Sequence, residues 1–141
     1  MIDETLRGGY MTAVARTARA TYQSALGAVL LIEGAVALAL IFSPLGVARL
    51  MGASYETGTE WPRIAGFLLL ALVGHMLIGR AMPSAAKLLN ILGFVTRAVF
   101  GTVLVALGGA FLLFGLFWLA AAITLAVLYF KYFQVEVMNR P

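Results

Sequence analysis

The stretch covering residues 88–130 constrains the fold more than any other part of the sequence. It contains 43 residues and a single charged one, Arg97. One helix of that length would be roughly 65 Å long, about twice the ~30 Å hydrocarbon core of a bilayer. We therefore predict two membrane-spanning helices joined by a tight turn. The candidate turn residues are Gly108, Gly109 and Gly115, because glycine tolerates the backbone angles that a turn requires.

Composition supports a membrane location for the whole chain. Only 11% of its 141 residues are charged and 62% are hydrophobic, whereas a soluble domain carries about 25% charged residues. The net charge is +4, but the basic residues lie mostly at the ends of apolar segments. Anionic membrane lipids are therefore the expected partners, and nucleic acid is not. The absence of cysteine excludes disulfides and thiolate metal sites.

The remaining sequence supplies two more spans and an amphipathic N-terminal segment. In residues 1–21, arginines alternate with apolar residues near helical spacing, which predicts a helix in the membrane interface, retained and not cleaved as a signal peptide. The four spans are predicted at residues 22–42, 63–80, 85–107 and 111–133, with a polar tail at 134–141. Prolines at 44, 62 and 83 mark span boundaries. The predicted fold is an all-α integral membrane bundle of four transmembrane helices.

The distribution of lysine and arginine predicts the orientation. Seven basic residues fall on one side of the predicted membrane and two, Arg49 and Arg63, on the other. By the positive-inside rule both termini are then cytoplasmic, and we expect a multi-pass protein of the bacterial inner membrane. Tyr129 and Tyr132 are expected to be interfacial aromatic anchors. Lipid headgroup contacts are expected at five residues: Arg49, Trp61, Arg63, Arg80 and Lys87.

Three ionisable residues, Glu33, His75 and Arg97, fall near the middle of predicted spans. A lone charge at that depth costs about 2.5 kcal/mol or more, so pairing is the natural relief. We predict a Glu33–Arg97 ion pair with His75 nearby. Gly93 and Gly101 share a helix face with Arg97, and small residues of this kind let a neighbouring helix approach closely. That face is therefore predicted to point into the bundle.

His75 carries a second hypothesis. It shares a predicted packing face with Phe67, Ala71 and Gly79. Hydrogen bonds across helices are expected at four polar residues of the later spans: Asn90, Thr96, Thr102 and Thr124. The Ala71–His75 spacing resembles the one by which light-harvesting membrane helices seat a bacteriochlorophyll. His75 is thus a candidate ligand for a tetrapyrrole pigment or a haem. A haem held by two histidines is excluded within this chain, which has one histidine.

Glycines, prolines and arginines follow a recognisable order along residues from about 26 to 133, namely Gly34, Pro44, Met51-Gly52, Trp61-Pro62-Arg63-x-x-Gly66 and Arg80. This order resembles that of small bacterial four-helix membrane proteins of the broad DoxX-like type. The resemblance implies a four-helix membrane fold. It assigns no chemistry.

The sequence supports two hypotheses about function, which belong to different classes. The first is a non-catalytic accessory or scaffold subunit of a larger inner-membrane complex, such as a redox or photosynthetic one, or a homo-oligomer. The polar loops are too short to build an active site outside the membrane, and no metal-site motif occurs, so we do not expect an enzyme. The alternative is a small transporter or a binder of a lipophilic ligand, a quinone or a lipid, which would use Glu33, Arg97 and His75. The sequence specifies no cofactor.

Overall fold

The computed structural model describes residues 2–50 and 58–138, and their side chains from residue 13 onward. These ranges contain helices and no β-strand. The helices are α1 (Ile2–Phe42), α2 (Pro44–Leu50), α3 (Glu60–Ala81), α4 (Lys87–Leu107) and α5 (Leu112–Met138), with a single 3₁₀ turn at Gly109–Phe111 before α5.

Four of these helices are long and apolar enough to cross a membrane. The qualifying segments are Ala13–Phe42, Glu60–Ala81, Lys87–Leu107 and Gly109–Met138. The chain is thus an all-α bundle with the character of a multi-pass membrane protein, as the sequence predicted. Helix α2 is too short to span a membrane and begins at Pro44, directly after the break at Ser43, and α1 was predicted to end at this pair of residues.

The N-terminal segment differs from the prediction. Helix α1 continues without interruption from Ile2 to Phe42, so residues 2–21 belong to the same helix as the first span. The reason is local, because no proline falls between residues 2 and 42 to break the hydrogen-bond ladder. An interfacial position for its first turns stays a prediction, and the side chains before residue 13 lie outside the described ones.

The turns between spans follow the glycine and proline signals. Residues 83–85 form the turn between α3 and α4. Gly108 and Gly109 have φ of 66° and 54°, in the left-handed region that favours glycine, and they connect α4 to α5. Gly115, the third candidate turn residue, lies instead within α5 and is buried there. Helix α5 also extends to Met138, so most of the predicted polar tail is helical.

The four long helices, α1, α3, α4 and α5, occupy the corners of a square. Helix α1 packs extensively on α3 and α4 on α5, while α1 and α5 form a third interface and α3 and α4 a smaller fourth. Helices α1 and α4 therefore occupy diagonal corners. The main core cluster lies in one half of the bundle and consists of Tyr22, Leu26, Leu30, Val73, Met76, Phe94, Leu125, Tyr129 and Tyr132.

Two glycines set the distance between α4 and α5. A Cβ atom added at Gly115 would lie 2.7 Å from the backbone nitrogen of Val105 and 2.8 Å from the carbonyl oxygen of Gly101. These are backbone atoms that a side-chain movement cannot relieve. Gly93, Arg97 and Gly101 are all buried, so the predicted inward face of α4 is confirmed.

Candidate functional site

The central polar feature is an ion pair between Glu33 on α1 and Arg97 on α4. The Nε of Arg97 donates to Oε1 of Glu33 at 2.7 Å, and Nη2 donates to Oε2 at 2.6 Å. This bidentate arrangement is the geometry in which a guanidinium and a carboxylate bind most strongly. The pair predicted from the cost of lone charges is confirmed, and it spans the diagonal of the bundle.

The pair is sealed inside the protein. The side chain of Arg97 is 1% exposed and that of Glu33 is 0% exposed. The remaining guanidinium nitrogen, Nη1, donates to the carbonyl oxygen of Gly93 at 3.2 Å. Gly93 leaves the space for this arrangement, because a Cβ there would overlap Sδ of Met76 and lie 3.2 Å from Nη1. All three guanidinium nitrogens and both carboxylate oxygens therefore have partners.

His75 lies on the outer surface of α3, away from the Glu33–Arg97 pair. Its side chain is exposed, as are Phe67 and Ala71 on the same stripe, and only Gly79 of that stripe is buried. The inward orientation predicted for His75 is wrong, because α3 packs through the neighbouring face that carries Leu69, Val73 and Met76, among others. His75 is not part of the Glu33–Arg97 pair.

The imidazole of His75 bonds within its own helix. Its Nδ1 lies 2.7 Å from the carbonyl oxygen of Ala71. Because a carbonyl oxygen only accepts, this contact requires the proton on Nδ1 and leaves Nε2 as the nitrogen that could ligate a metal. A pigment or haem ligand at this position stays a prediction. The described residues contain no group of three or more side chains arranged to hold a metal ion.

A second polar network, centred on Asn90, connects α1, α3 and α5 to α4. The hydroxyl of Tyr22 donates to Oδ1 of Asn90 at 2.7 Å. The Nδ2 of Asn90 lies 3.3 Å from the carbonyl oxygen of Gly79 and 3.4 Å from that of Pro83, and the hydroxyl of Tyr129 donates to Pro83 at 3.2 Å. The cross-helix role predicted for Asn90 is confirmed, whereas the hydroxyl of Thr102 donates to the carbonyl oxygen of Ala98 within α4.

Sequence reasoning missed the aromatic part of this network. Tyr129 and Tyr132 were expected at the membrane interface, but they are 2% and 4% exposed and pack with Tyr22. The sequence feature that could have indicated their burial was Asn90, because a buried amide in an apolar helix needs donors and acceptors on the neighbouring helices.

The predicted headgroup residues divide between the two ends of the bundle. Arg49, Trp61 and Arg63 lie at one end and are exposed. Arg80 and Lys87 lie at the other end and have contacts within the chain. Arg80 Nε donates to the carbonyl oxygen of Gln23 at 2.9 Å, and Lys87 Nζ lies 4.5 Å from the ring centroid of Phe133. Lipid contacts at these residues stay predictions.

A groove of about 200 Å³ lies between α1 and α5, in the half of the bundle that contains Arg49 and Arg63 at its end. Its walls are apolar and aromatic apart from Glu33, and its lining residues are Ile32, Glu33, Val36, Leu113, Phe114, Phe117 and Trp118. Because the Glu33 side chain is fully buried against Arg97, the groove offers an apolar surface. Volumes of this order accommodate an aromatic ring or a similar apolar group.

Comparisons with protein-family models, with curated proteins and with solved structures find no match to this chain.

Proposed function

We propose that this chain is a non-catalytic integral membrane protein that acts as a scaffold or accessory subunit of a larger membrane complex. The observation that supports this most is the closed Glu33–Arg97 pair, whose charges and hydrogen-bonding atoms are satisfied by each other and by Gly93. A buried pair of this kind fixes which helices meet and in what register. With these atoms already engaged by each other, the pair supports a structural role.

Small residues on the outer surface favour an assembled state. Gly34 on α1 and Gly74 on α3 both face open space, with no atom within 4 Å of an added Cβ. Small residues at such positions let the backbone of another membrane helix approach closely. Further small residues are exposed on one face of α1, namely Ser24, Ala28, Ala35 and Ala39. A bacterial inner-membrane location with cytoplasmic termini, and a relationship to the DoxX-like group, belong to the same proposal.

Particle mass in mild detergent tests the proposal. Isolated from native membranes, the 15.0 kDa chain is expected in a particle much heavier than one chain with its detergent. Gly74→Leu should release the bare chain, because the new side chain blocks close helix contact while remaining compatible with lipid. Val99→Leu, on an exposed position of α4, is the matched control and should not change the mass.

Replacing both members of the Glu33–Arg97 pair distinguishes a structural role of the pair from a role in binding or transport. Glu33→Gln combined with Arg97→Gln should leave a folded bundle in the same heavy particle. A wild-type particle containing only one chain would contradict the subunit proposal.

The groove supports a second candidate function, the binding of a lipophilic ligand. An aromatic and apolar wall that opens toward the membrane suits a lipid chain or a quinone ring. The ligand would contact the groove residues and neither His75 nor the buried Glu33 carboxylate.

Tryptophan fluorescence can detect such a ligand, because the chain has two tryptophans and only Trp118 lines the groove. Trp61→Phe leaves Trp118 as the single reporter, and Trp118→Phe leaves the exposed Trp61 as the matched control. A short-tail quinone or a lipid brominated on its acyl chain should quench Trp118 saturably at low mole fraction. Equal, unsaturable quenching of both reporters would exclude a site in the groove.

A further inference from the structure

The C-terminal end of α3 is joined to the middle of α1 by hydrogen bonds that involve two arginines. The Nε2 of Gln23 donates to the carbonyl oxygen of Arg80 at 2.8 Å, and Arg80 Nε donates back to the carbonyl oxygen of Gln23 at 2.9 Å. One turn earlier on α1, Arg19 Nη2 lies 3.4 Å from the carbonyl oxygen of Ala81. Side chains of α1 thus satisfy the last carbonyl groups of α3, which have no partner within their own helix.

The guanidinium of Arg80 lies on the surface of α1. A Cβ atom added at Gly27 would be 3.0 Å from its Nε and 3.1 Å from its Cζ and Nη2. Any larger residue at position 27 would displace the group. Gly27 and the bond to Gln23 therefore hold the guanidinium at a fixed place on the helix, where an exposed arginine usually moves freely. Fixing it in advance reduces the ordering cost of binding a ligand.

Basic residues predominate around the α1–α3 seam, which is the hydrogen-bonded group of Arg19, Gln23, Arg80 and Ala81. Arg16 is exposed on α1 three residues before Arg19 and so lies on nearly the same face. Among the described carboxylates, Glu33 is paired with Arg97 in the interior and Glu60 lies at the opposite end of α3. Glu136 lies on α5 at the same end of the bundle as Arg19, and both interact with Tyr132. The seam therefore has three arginines and one carboxylate nearby, on a neighbouring helix.

The seam is expected to lie at the same depth in the membrane as the phosphate groups of the lipids. Arg80 is the second-last residue of a helix that is long and apolar enough to span a membrane, and such positions lie near the boundary between hydrocarbon and headgroups. A guanidinium has five N–H donors in a fork that fits phosphate oxygens. Arg80 is exposed and its Nε donates to Gln23, which leaves the donors of its two terminal nitrogens for a ligand.

From these observations we propose a binding site for the phosphate of an anionic phospholipid at the α1–α3 seam, formed by Arg80 and Arg19 and fixed by Gln23 and Gly27. The site is specific to this end of the bundle. Arg63, at the other end of α3, is also exposed and provides a natural comparison.

Native mass spectrometry of the detergent-purified full chain, incubated with equal amounts of phosphatidylglycerol and phosphatidylcholine, tests this site. Wild type should retain phosphatidylglycerol preferentially. Arg19→Gln and Arg80→Gln should each lower that preference about fivefold, the effect expected for one basic residue near an anionic lipid surface. Arg63→Gln removes the same charge from the same helix, at a predicted headgroup contact outside the seam, and should lower the preference much less.

Two further comparisons test whether a variant that fails to fold matters and which anion the site binds. Arg19→Gln removes only a long hydrogen bond, so it decides the question if Arg80→Gln fails to fold. Millimolar inorganic phosphate should not displace the lipid; displacement would overturn the lipid assignment in favour of a free-anion site. No preference in wild type, or an equal loss in Arg63→Gln, would overturn the proposed site itself.

Discussion

Arg97 and Glu33 join the two helices that stand at diagonal corners of the bundle. The residues are 64 positions apart in sequence and are held by two charge-assisted hydrogen bonds of 2.6 and 2.7 Å. The backbones of α1 and α4 make few close contacts, so side chains connect them directly: this pair in one half of the bundle, and Tyr22 with Asn90 and Phe94 in the other. Because lipid and protein interior are equally apolar, hydrophobic burial does little to select one helix arrangement over another in a membrane. A polar pair at the centre supplies that selection.

The hydrogen bond from Tyr22 to Asn90 is expected to stabilise the other half of the bundle. Tyr22→Phe removes the 2.7 Å bond and leaves a buried amide oxygen without its donor, so it should cost about 1–2 kcal/mol. Tyr129→Phe is the matched comparison. It should cost about 0.6 kcal/mol, because the carbonyl oxygen of Pro83 keeps the Asn90 donor. Reversible unfolding in mixed micelles measures both; equal losses would contradict this ranking.

Glycine at position 115 is expected to be required for helix packing. Gly115→Ala places a Cβ against the backbone of α4 and should cost about 1–3 kcal/mol through overpacking. Gly74→Ala, measured like Gly115→Ala in the bare chain in detergent with no partner helix over position 74, is the control. It introduces the same methyl group into open space and should stabilise the helix by up to about 1 kcal/mol. Thermal denaturation of the two variants should therefore shift in opposite directions, and a loss of stability in both would be inconsistent with the packing described.

His75 is expected to contribute little to folding. Its side chain faces outward and bonds only within α3, so His75→Leu should change the free energy of unfolding by no more than about 0.5 kcal/mol. Asn90→Leu, at a position that is 0% exposed, should be strongly destabilising. Absorption spectra of the wild type and His75→Leu from native membranes complete the test, because a visible band lost in the variant would support the pigment or haem prediction.

Much of the fold could be predicted because its signals are energetically large. A charge in hydrocarbon is costly enough that Glu33 and Arg97 had to meet. The 43-residue apolar stretch had to turn, and Gly108-Gly109 were suited to that turn. Proline boundaries likewise placed the end of α1 and the turn before α4.

The orientation of individual helices was harder to predict. In a water-soluble protein, polarity separates the exposed face from the buried one, but a lipid-facing surface is as apolar as the core. The small residues beside His75 therefore suggested packing although that face is exposed. Tyr129 and Tyr132 suggested an interface for a related reason, since tyrosine is favoured both at membrane surfaces and in interiors where its hydroxyl finds a partner.

A double-mutant cycle on Glu33 and Arg97, read as the free energy of unfolding, tests the structural role of the pair most directly. Glu33→Gln should cost about 3–5 kcal/mol, because it leaves the Arg97 charge buried without its partner. Combining it with Arg97→Gln removes that charge, so the double variant should be more stable than Glu33→Gln alone. If the two single costs simply add, the two residues are not coupled and the pair does not lock α1 to α4.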